Sequence, residues 1–447
     1  MQSTDVEVQV TTLASEATGE LSAMVRRHAV LSRLSVVIAF VYVALLPLNI
    51  PLHGPLYVHD LLAPVLAALV VLRARAWRFL RPPDSLLALF LLIAALTTVV
   101  HFGGMKDLKE WCIFGYMGVL YVFFSSCRLP ARGRYWLGLC MLTACVVFLL
   151  VQRATGVQTS YEVYEGSTLG FMARRFFFTF PHPNLTGSFY VLPVVLVLSA
   201  LLSRSRGFSR RQWVMCCAAA CVLLVPLVLT VSRHMLLTGA VGLGFLVALS
   251  GRKRWAWCCA AACLAVVFVL FYLTILFPFF PLQSRFPFFN CDTYGMYMIH
   301  QVIYLKIIVL GLPEFLLGVG KSGVAALYPQ LADWDTTYKV LAQYRQEFLT
   351  ESFVTYMDAH NEYLNLASSF GVPAVACCMG FWATVCRGRR RASLWPVLVF
   401  FVAGVLLACL WDDLLSKRWI WVTLGVLTAC TGGVRSDPDA GQRIQEC

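Results

Sequence analysis

The chain has 447 residues, 59% hydrophobic and only 13% charged, with a mean hydropathy of +0.73, a balance that excludes an ordinary soluble protein. Its formal net charge is +13, but the basic residues fall in short clusters between apolar runs: Arg73/Arg75/Arg78/Arg81, Arg128/Arg132/Arg134, Arg204/Arg206/Arg210/Arg211, Arg252/Lys253/Arg254 and Arg387/Arg389/Arg390/Arg391. Every second loop is basic, which is the positive-inside pattern of a polytopic membrane protein. Nucleic-acid binding is excluded, because it needs the charge gathered on one soluble face.

Residues 1–29 are polar and end in Arg26-Arg27-His28, predicting a cytoplasmic tail before a signal-anchor span. A spanning helix needs about 20 mostly apolar residues. Residues 30–277 supply nine such spans: Leu31–Pro47, a second ending near Leu72, Asp84–Val100, Trp111–Ser125, Tyr135–Val151, Leu185–Leu202, Trp213–Leu229, Met235–Ser250 and Trp255–Phe277. Residues 152–184 form an outside loop, and His101–Glu110 a shorter one. Residues 278–360 form a large outside loop that opens on an aromatic belt and predicts a surface-lying helix over Thr336–Met357. Residues 361–431 carry three more spans, about Glu362–Val385, Leu394–Trp411 and Trp419–Ala429, and 432–447 form a cytoplasmic tail. The expected architecture is therefore an all-α integral membrane protein of about twelve spans, with a large helical periplasmic loop between the ninth and tenth. Most of the 17 cysteines lie in apolar runs, where they act as small hydrophobes rather than as a disulfide framework.

The span centres hold almost no ionisable residues, which counts against a proton- or ion-coupled transporter. Ionisable groups gather on the outside face instead, at Arg174, Arg175, His182, Arg233, His234, Arg285, Lys306, Lys321, Lys339, Arg345 and His360. Cations there run against the positive-inside bias and suggest an anionic ligand. Arg233 sits in the tight turn Thr230–His234, where a guanidinium suits a phosphate at headgroup level. Arg233, like Arg174-Arg175, also fits a snorkelling anchor to lipid phosphate. Asp333-Trp-Asp335 reads as a solvated loop. Leu316-Leu-Gly-Val-Gly-Lys-Ser-Gly323 reads as a glycine-rich turn, since one residue between Gly318 and Gly320 is the wrong spacing for a phosphate-binding loop.

The stretch Asp358–Gly371 closes the large loop and opens an apolar helix. Asp358 is the expected N-cap, and Glu362 falls in the first turn, where negative charge favours the helix dipole. His360 places a titratable ring at the membrane–water boundary. The same stretch also reads as a helix cap with an interfacial histidine.

Four stretches, in order, resemble the O-antigen ligase/polymerase superfamily of bacterial membrane glycosyltransferases, and O-antigen ligase most. They are Arg174 to Asn184 before a span, Val231-Ser-Arg233, Leu316-Leu-Gly-Val-Gly320, and His360-Asn-Glu-Tyr-Leu364 with Gly371 following. The resemblance implies a GT-C-like fold and a metal-independent, cofactor-free enzyme of the bacterial inner membrane. Such an enzyme takes a glycan from undecaprenyl diphosphate on the periplasmic face and transfers it to a hydroxyl of lipid A–core. On matching positions His360 would be the general base, with Arg233 beside it, and Arg174, Arg175, Arg233 and Arg285 would hold the diphosphate. Asn361, Tyr363, His300 and Lys306 would support them. The chemistry fits independently: unperturbed His has a pKa near the working pH, and arginines neutralise a departing diphosphate. The family also tends to carry an arginine shortly before Leu-Gly-x-Gly. Here Met298 to Lys306 has none, leaving Arg285, His300 or Lys306 for that role.

Polymerases of the superfamily often carry an arginine with a glycine sixteen positions later in both large outside loops. Here Arg153, Arg174, Arg175, Arg285 and Arg345 lead to Leu169, Tyr190, Val191, Gln301 and Asn361, which favours a ligase. A polysaccharide polymerase or a protein O-oligosaccharyltransferase would use the same donor and base. The contrasting class is a non-enzymatic lipid-glycan flippase or membrane scaffold.

Overall fold

The computed structural model describes residues 26, 29–47, 51–53, 56–73, 82–127, 129–155, 183–204, 214, 218, 235–250, 291–332, 359–390, 392–410 and 412–431. Nearly all of the expected seventh span, the whole ninth span, most of the loop at 152–184, the second half of the large loop and nearly all of both tails lie outside these residues. So do Arg174, Arg175, Arg233, Arg285, Asp358, the acidic pair Asp333/Asp335 and the expected helix at Thr336–Met357.

The apolar runs fold as helices because a chain in lipid must satisfy every backbone N–H and C=O internally. In chain order these are α1 Ala29–Leu45, α2 Ala63–Arg73, α3 Pro82–Val100, α4 Met105–Ser126, α5 Ala131–Thr155, α6 Pro183–Phe189, α7 Val191–Arg204 and α8 Met235–Ser250. The large loop contributes α9 Cys291–Ile308, α10 Leu312–Leu317 and α11 Gly320–Leu331. The C-terminal part gives α12 Glu362–Phe370, α13 Val372–Arg387, α14 Trp395–Ala408 and α15 Arg418–Thr431. The strands are a short antiparallel pair, β1 Pro51–His53 and β2 Leu56–Tyr57, which leads into a 3-10 turn at Val58–Leu62. Two stretches, Pro83–Val100 and Leu185–Ser203, are long and apolar enough to cross a membrane among the described residues, and five shorter apolar helices accompany them.

Three expectations about the helices are corrected. α4 begins at Met105, so the second half of the expected loop His101–Glu110 is helical, with Asp107 in the favourable first turn. The expected sixth span is divided at Tyr190 into α6 and α7, just before Pro193. The expected tenth span is likewise two helices, α12 and α13, separated by Gly371 at φ +86° with Pro373 in the next turn.

The helices pack as close pairs: α3 on α13, α4 on α15, α5 on α7 and α8 on α14. Their core is aromatic. Phe381 stacks on Trp421 at 5.8 Å between ring centres and meets Tyr121 edge-on at 4.9 Å. Phe90, Phe114 and Phe370 form a second edge-to-face group that ties α3 and α4 to the end of α12. Such offset and T-shaped contacts add roughly 0.5–1.5 kcal/mol each beyond the area they bury.

The expected outside segments bond to one another. Arg418 at the start of α15 donates two hydrogen bonds to Asp60, at 2.7 and 2.6 Å, and lies over the Tyr57 ring at 4.9 Å. Thr97 near the end of α3 donates to the Leu317 carbonyl, and Glu362 N–H donates to the Cys409 carbonyl at 2.8 Å. The opposite end holds buried Arg134, which bonds Ser203 at 2.7 Å and the Cys430 thiol, joining α5, α7 and α15.

The Asp60 and Arg418 side chains are only 5% and 16% exposed. Asp60→Ala is therefore expected to cost on the order of 3–5 kcal/mol, since it leaves a buried guanidinium without its counter-charge. Asp60→Leu combined with Arg418→Met should recover most of that loss. Thermal unfolding of the detergent-solubilised protein checks both. Equal loss in the single and double variants would mean that packing, not charge, sets the effect.

Candidate functional site

His360 lies in a three-residue link between the large loop and α12, and each residue of that link is tied down. Ala359 N–H donates to the Asn365 side-chain oxygen at 3.2 Å. Asn361, not Asp358, is the N-cap: its side chain accepts from Leu364 N–H at 3.2 Å. The helix begins later than the sequence suggests because Asn361 is extended and Glu362 is the first helical residue. The Glu362 bond to Cys409 then anchors the link to the turn that follows α14. Between these anchors His360 takes φ +46°, the one positive φ of a residue other than glycine among the described residues. An L-residue there costs on the order of 1–2 kcal/mol. The half-buried ring is thus held where the backbone alone would not place it.

One wall of the site comes from the large loop. α9 packs on α11 and α12, with Ile303, Tyr304 and Ile307 gathered around Tyr328 and the fully buried Ala359. His300 lies one turn earlier on the same face of α9. It is 4% exposed, its Nδ1 is hydrogen-bonded to the Tyr328 hydroxyl, and its ring stacks on that of Tyr328. Burial lowers its pKa to about 4, and the charge of His360 pushes the same way. Tyr328 is raised by burial and stays protonated.

The other expected supporting residues are engaged elsewhere. Lys306 is exposed and donates to the Leu331 carbonyl at the end of α11, 3.4 Å away. Tyr363 donates to the Leu406 carbonyl of α14. Of His300 and Lys306, His300 is buried against Tyr328 and Lys306 is exposed.

The glycine-rich turn supports this arrangement from beneath. Gly318 and Gly371 both have positive φ, and a Cβ on either would sit inside the other segment's backbone, 2.6 Å from Phe370 N or 2.1 Å from the Leu316 oxygen. Val319 N–H donates to the Ser368 carbonyl across the same contact, at 2.8 Å. The two glycine-bearing stretches are therefore one backbone-to-backbone joint. In the first turn of α11 the Ser322 N–H is taken by a carboxylate. Asp107 accepts from Ser322 N–H at 2.8 Å and from Gly103 N–H at 3.0 Å, so its carboxylate already occupies that end.

The opposite wall is polar and had no signal in the sequence beyond a short acidic turn. Lys417 binds Asp413 at 2.8 Å, and buried Glu362 contributes to holding Lys417 charged. Burial raises the Asp413 carboxyl, but Lys417 outweighs it and holds it low, while burial and then Asp413 push Asp412 up. Beside them His59, buried near Asp60 and Arg418, is lowered to about 4, chiefly by burial. Lys417 and Asp413 pair locally at four-residue spacing, whereas Arg418 and Asp60 are brought together from opposite ends of the chain. Among the described residues, no three His, Cys, Asp or Glu side chains gather as a metal-ligand set.

Residues 217–379 match the family model described as O-antigen ligase. Over those residues the chain is similar to the O-antigen ligase/polymerase superfamily. No curated protein matches it. The matched segment takes in Arg233, Arg285, α9 to α11, the glycine joint and His360, and it ends within α13. Arg174 and Arg175 precede it. That likeness is to a family described as O-antigen ligase and covers the central and later part of the chain. Within the matched segment, the described structure pairs His300 with Tyr328 and joins the two glycine stretches.

Proposed function

We propose that the protein is an O-antigen ligase, transferring a glycan from undecaprenyl diphosphate to a hydroxyl of lipid A–core at the periplasmic face of the inner membrane. The observation that carries this reading is the triply anchored His360 link, within the matched segment, at the end of the bundle where the expected outside segments meet. His360 accepts the proton of the acceptor hydroxyl as its oxygen attacks the anomeric carbon. The bond from that carbon to the diphosphate breaks, and undecaprenyl diphosphate leaves with the electron pair. Arg233, with Arg174, Arg175 and Arg285, neutralises the charge on the leaving oxygens. The reaction needs no cofactor from the protein.

The test offers purified protein an undecaprenyl-diphosphate-linked glycan with either lipid A–core or a second donor molecule as acceptor. Glycan appearing on lipid A–core, and at least ~100-fold less of it with Arg233→Ala, is the expected result. Extension of the second donor instead would make the protein a polymerase. No transfer to either acceptor would return it to the flippase or scaffold class.

A further inference from the structure

The corner between α9 and α10 carries an exposed apolar face. We propose that this face is moored in the lipid acyl chains of the leaflet into which the C-terminal end of α3 runs. The mooring presupposes that the bundle crosses a membrane, as in the function proposed above.

α9 has two apolar sides. Ile303, Tyr304 and Ile307 are buried on one of them, in a cluster with α11 that is separate from the main core. Val302, Leu305 and, just past the helix end, Val309 recur at three- and four-residue spacing on the opposite side, and all three are exposed. The chain then turns at Gly311 into α10, none of whose six residues is buried. Leu312 is 69% exposed, and Phe315 and Leu316 are exposed as well. From Val302 to Gly320 the only charged residues are Lys306 and Glu314. Lys306 bonds the Leu331 carbonyl of the loop itself. A helix facing water carries polar groups on its open face, whereas this corner carries large aliphatic and aromatic ones.

The neighbour that identifies the occupant is α3. Its stretch Pro83–Val100 is long and apolar enough to cross a membrane. Leu92, Leu96 and Val99 form an exposed stripe along it, at the spacing of one helical face. Thr97 Oγ1 donates to the Leu317 carbonyl at 2.7 Å, joining α3 to the end of α10. Phe315 and Leu316 lie within one turn of that bond on α10, and Val99 and Val100 lie within one turn of it on α3. The open end of the span and the open corner of the loop therefore adjoin, and the same lipid covers both.

Depth agrees with this. The 19 residues of α3 rise about 28 Å, close to the roughly 30 Å of a hydrocarbon core. Thr97 precedes the last residue, Val100, by three positions, so the bond to Leu317 lies about 4.5 Å inside the end of the span. Helices lying in the membrane interface bury their apolar face about 5–10 Å into the headgroup–acyl boundary. The consequence reaches the site, because α10 runs directly into the Gly318–Gly371 joint, where backbone meets backbone. Mooring α10 fixes the height of that joint, and of the α12 entry that carries His360, relative to the leaflet that holds a lipid-linked donor.

The test places the photo-crosslinker benzoylphenylalanine singly at Leu312, Phe315, Leu92 and Gln330 of the full chain. Each variant is reconstituted in vesicles of phosphatidylethanolamine and phosphatidylglycerol, irradiated, and weighed by intact-protein mass spectrometry. Leu92 on α3 is the lipid reference, and exposed Gln330 on α11 is the reference for the rest of the loop. Lipid adducts at Leu312 and Phe315 are expected in yields comparable with Leu92 and several-fold above Gln330. Because all four positions are exposed, the probe enters without repacking a core. Leu305, on the same face of α9, substitutes for either corner position whose variant does not fold.

Lipid adducts at Leu92, with both corner positions no higher than Gln330, would overturn the mooring and leave the membrane reading standing. Crosslinks from the corner to a second copy of the chain, in place of lipid adducts, would also overturn it and make the face an interface between copies. Background yield at Leu92 as well would overturn the membrane reading, and the mooring with it.

Discussion

His360→Ala is expected to lower glycan transfer at least ~100-fold, the usual scale for removing a general base, while the protein remains folded. The second half of that expectation needs its own control, because His360 sits at φ +46°. Alanine is strained there by on the order of 1–2 kcal/mol. Asparagine tolerates the left-handed region and has no basic nitrogen. His360→Asn should therefore melt close to the wild type and be as inactive as the alanine variant. Transfer assays on both variants, beside their melting temperatures, separate chemistry from strain. An active, stable His360→Asn would make His360 a helix-entry residue with no part in proton transfer.

Gly371→Ala is expected to be the most damaging conservative change in the described structure. The new Cβ would lie 2.1 Å from the Leu316 oxygen and 2.5 Å from its carbonyl carbon, at φ +86°. Both obstacles are backbone, so no rotamer change relieves them. Overpacking costs roughly 1–3 kcal/mol and left-handed strain about 1–2 more, so a loss on the order of 3–5 kcal/mol is expected. Gly318→Ala should behave alike, since it enters the same joint from the other side. Gly239→Ala and Gly242→Ala on α8 are the controls. A Cβ there meets nothing within 4 Å, and each should be neutral or gain up to about 1 kcal/mol of helix propensity. Melting temperatures of the four variants in one detergent provide the comparison. Equal behaviour in all four would remove the joint as a determinant of the fold.

The glycine joint also marks how far the sequence could be read. Leu316-Leu-Gly-Val-Gly320 was legible as a turn, and Gly371 as the residue following the histidine motif. That the two glycines touch each other was not, because nothing in either stretch encodes a partner so far along the chain. The N-cap shows the same limit at short range. Asp358 and Asn361 are both good capping residues, and the cap is Asn361, which is extended and accepts from Leu364 N–H, with Glu362 anchored to Cys409. Likewise, His300 and Lys306 were equal candidates as basic groups on one helix. Packing on α12 turns the first inward and leaves the second at the surface.

The sequence by itself determined the apolar, helical class, the position of several helices and the histidine motif. Those properties follow from local composition: an apolar run partitions into lipid, and a turn needs glycine wherever it falls. Only the tertiary structure decided that Arg418 meets Asp60 across nearly the whole chain, that the expected tenth span breaks at Gly371, and that His300 pairs with Tyr328. The physical reason is visible in α8 and α14, which are apolar on every side. Where lipid and protein core are equally apolar, hydropathy does not say which face packs, so neighbours are chosen by shape and by the few hydrogen bonds available.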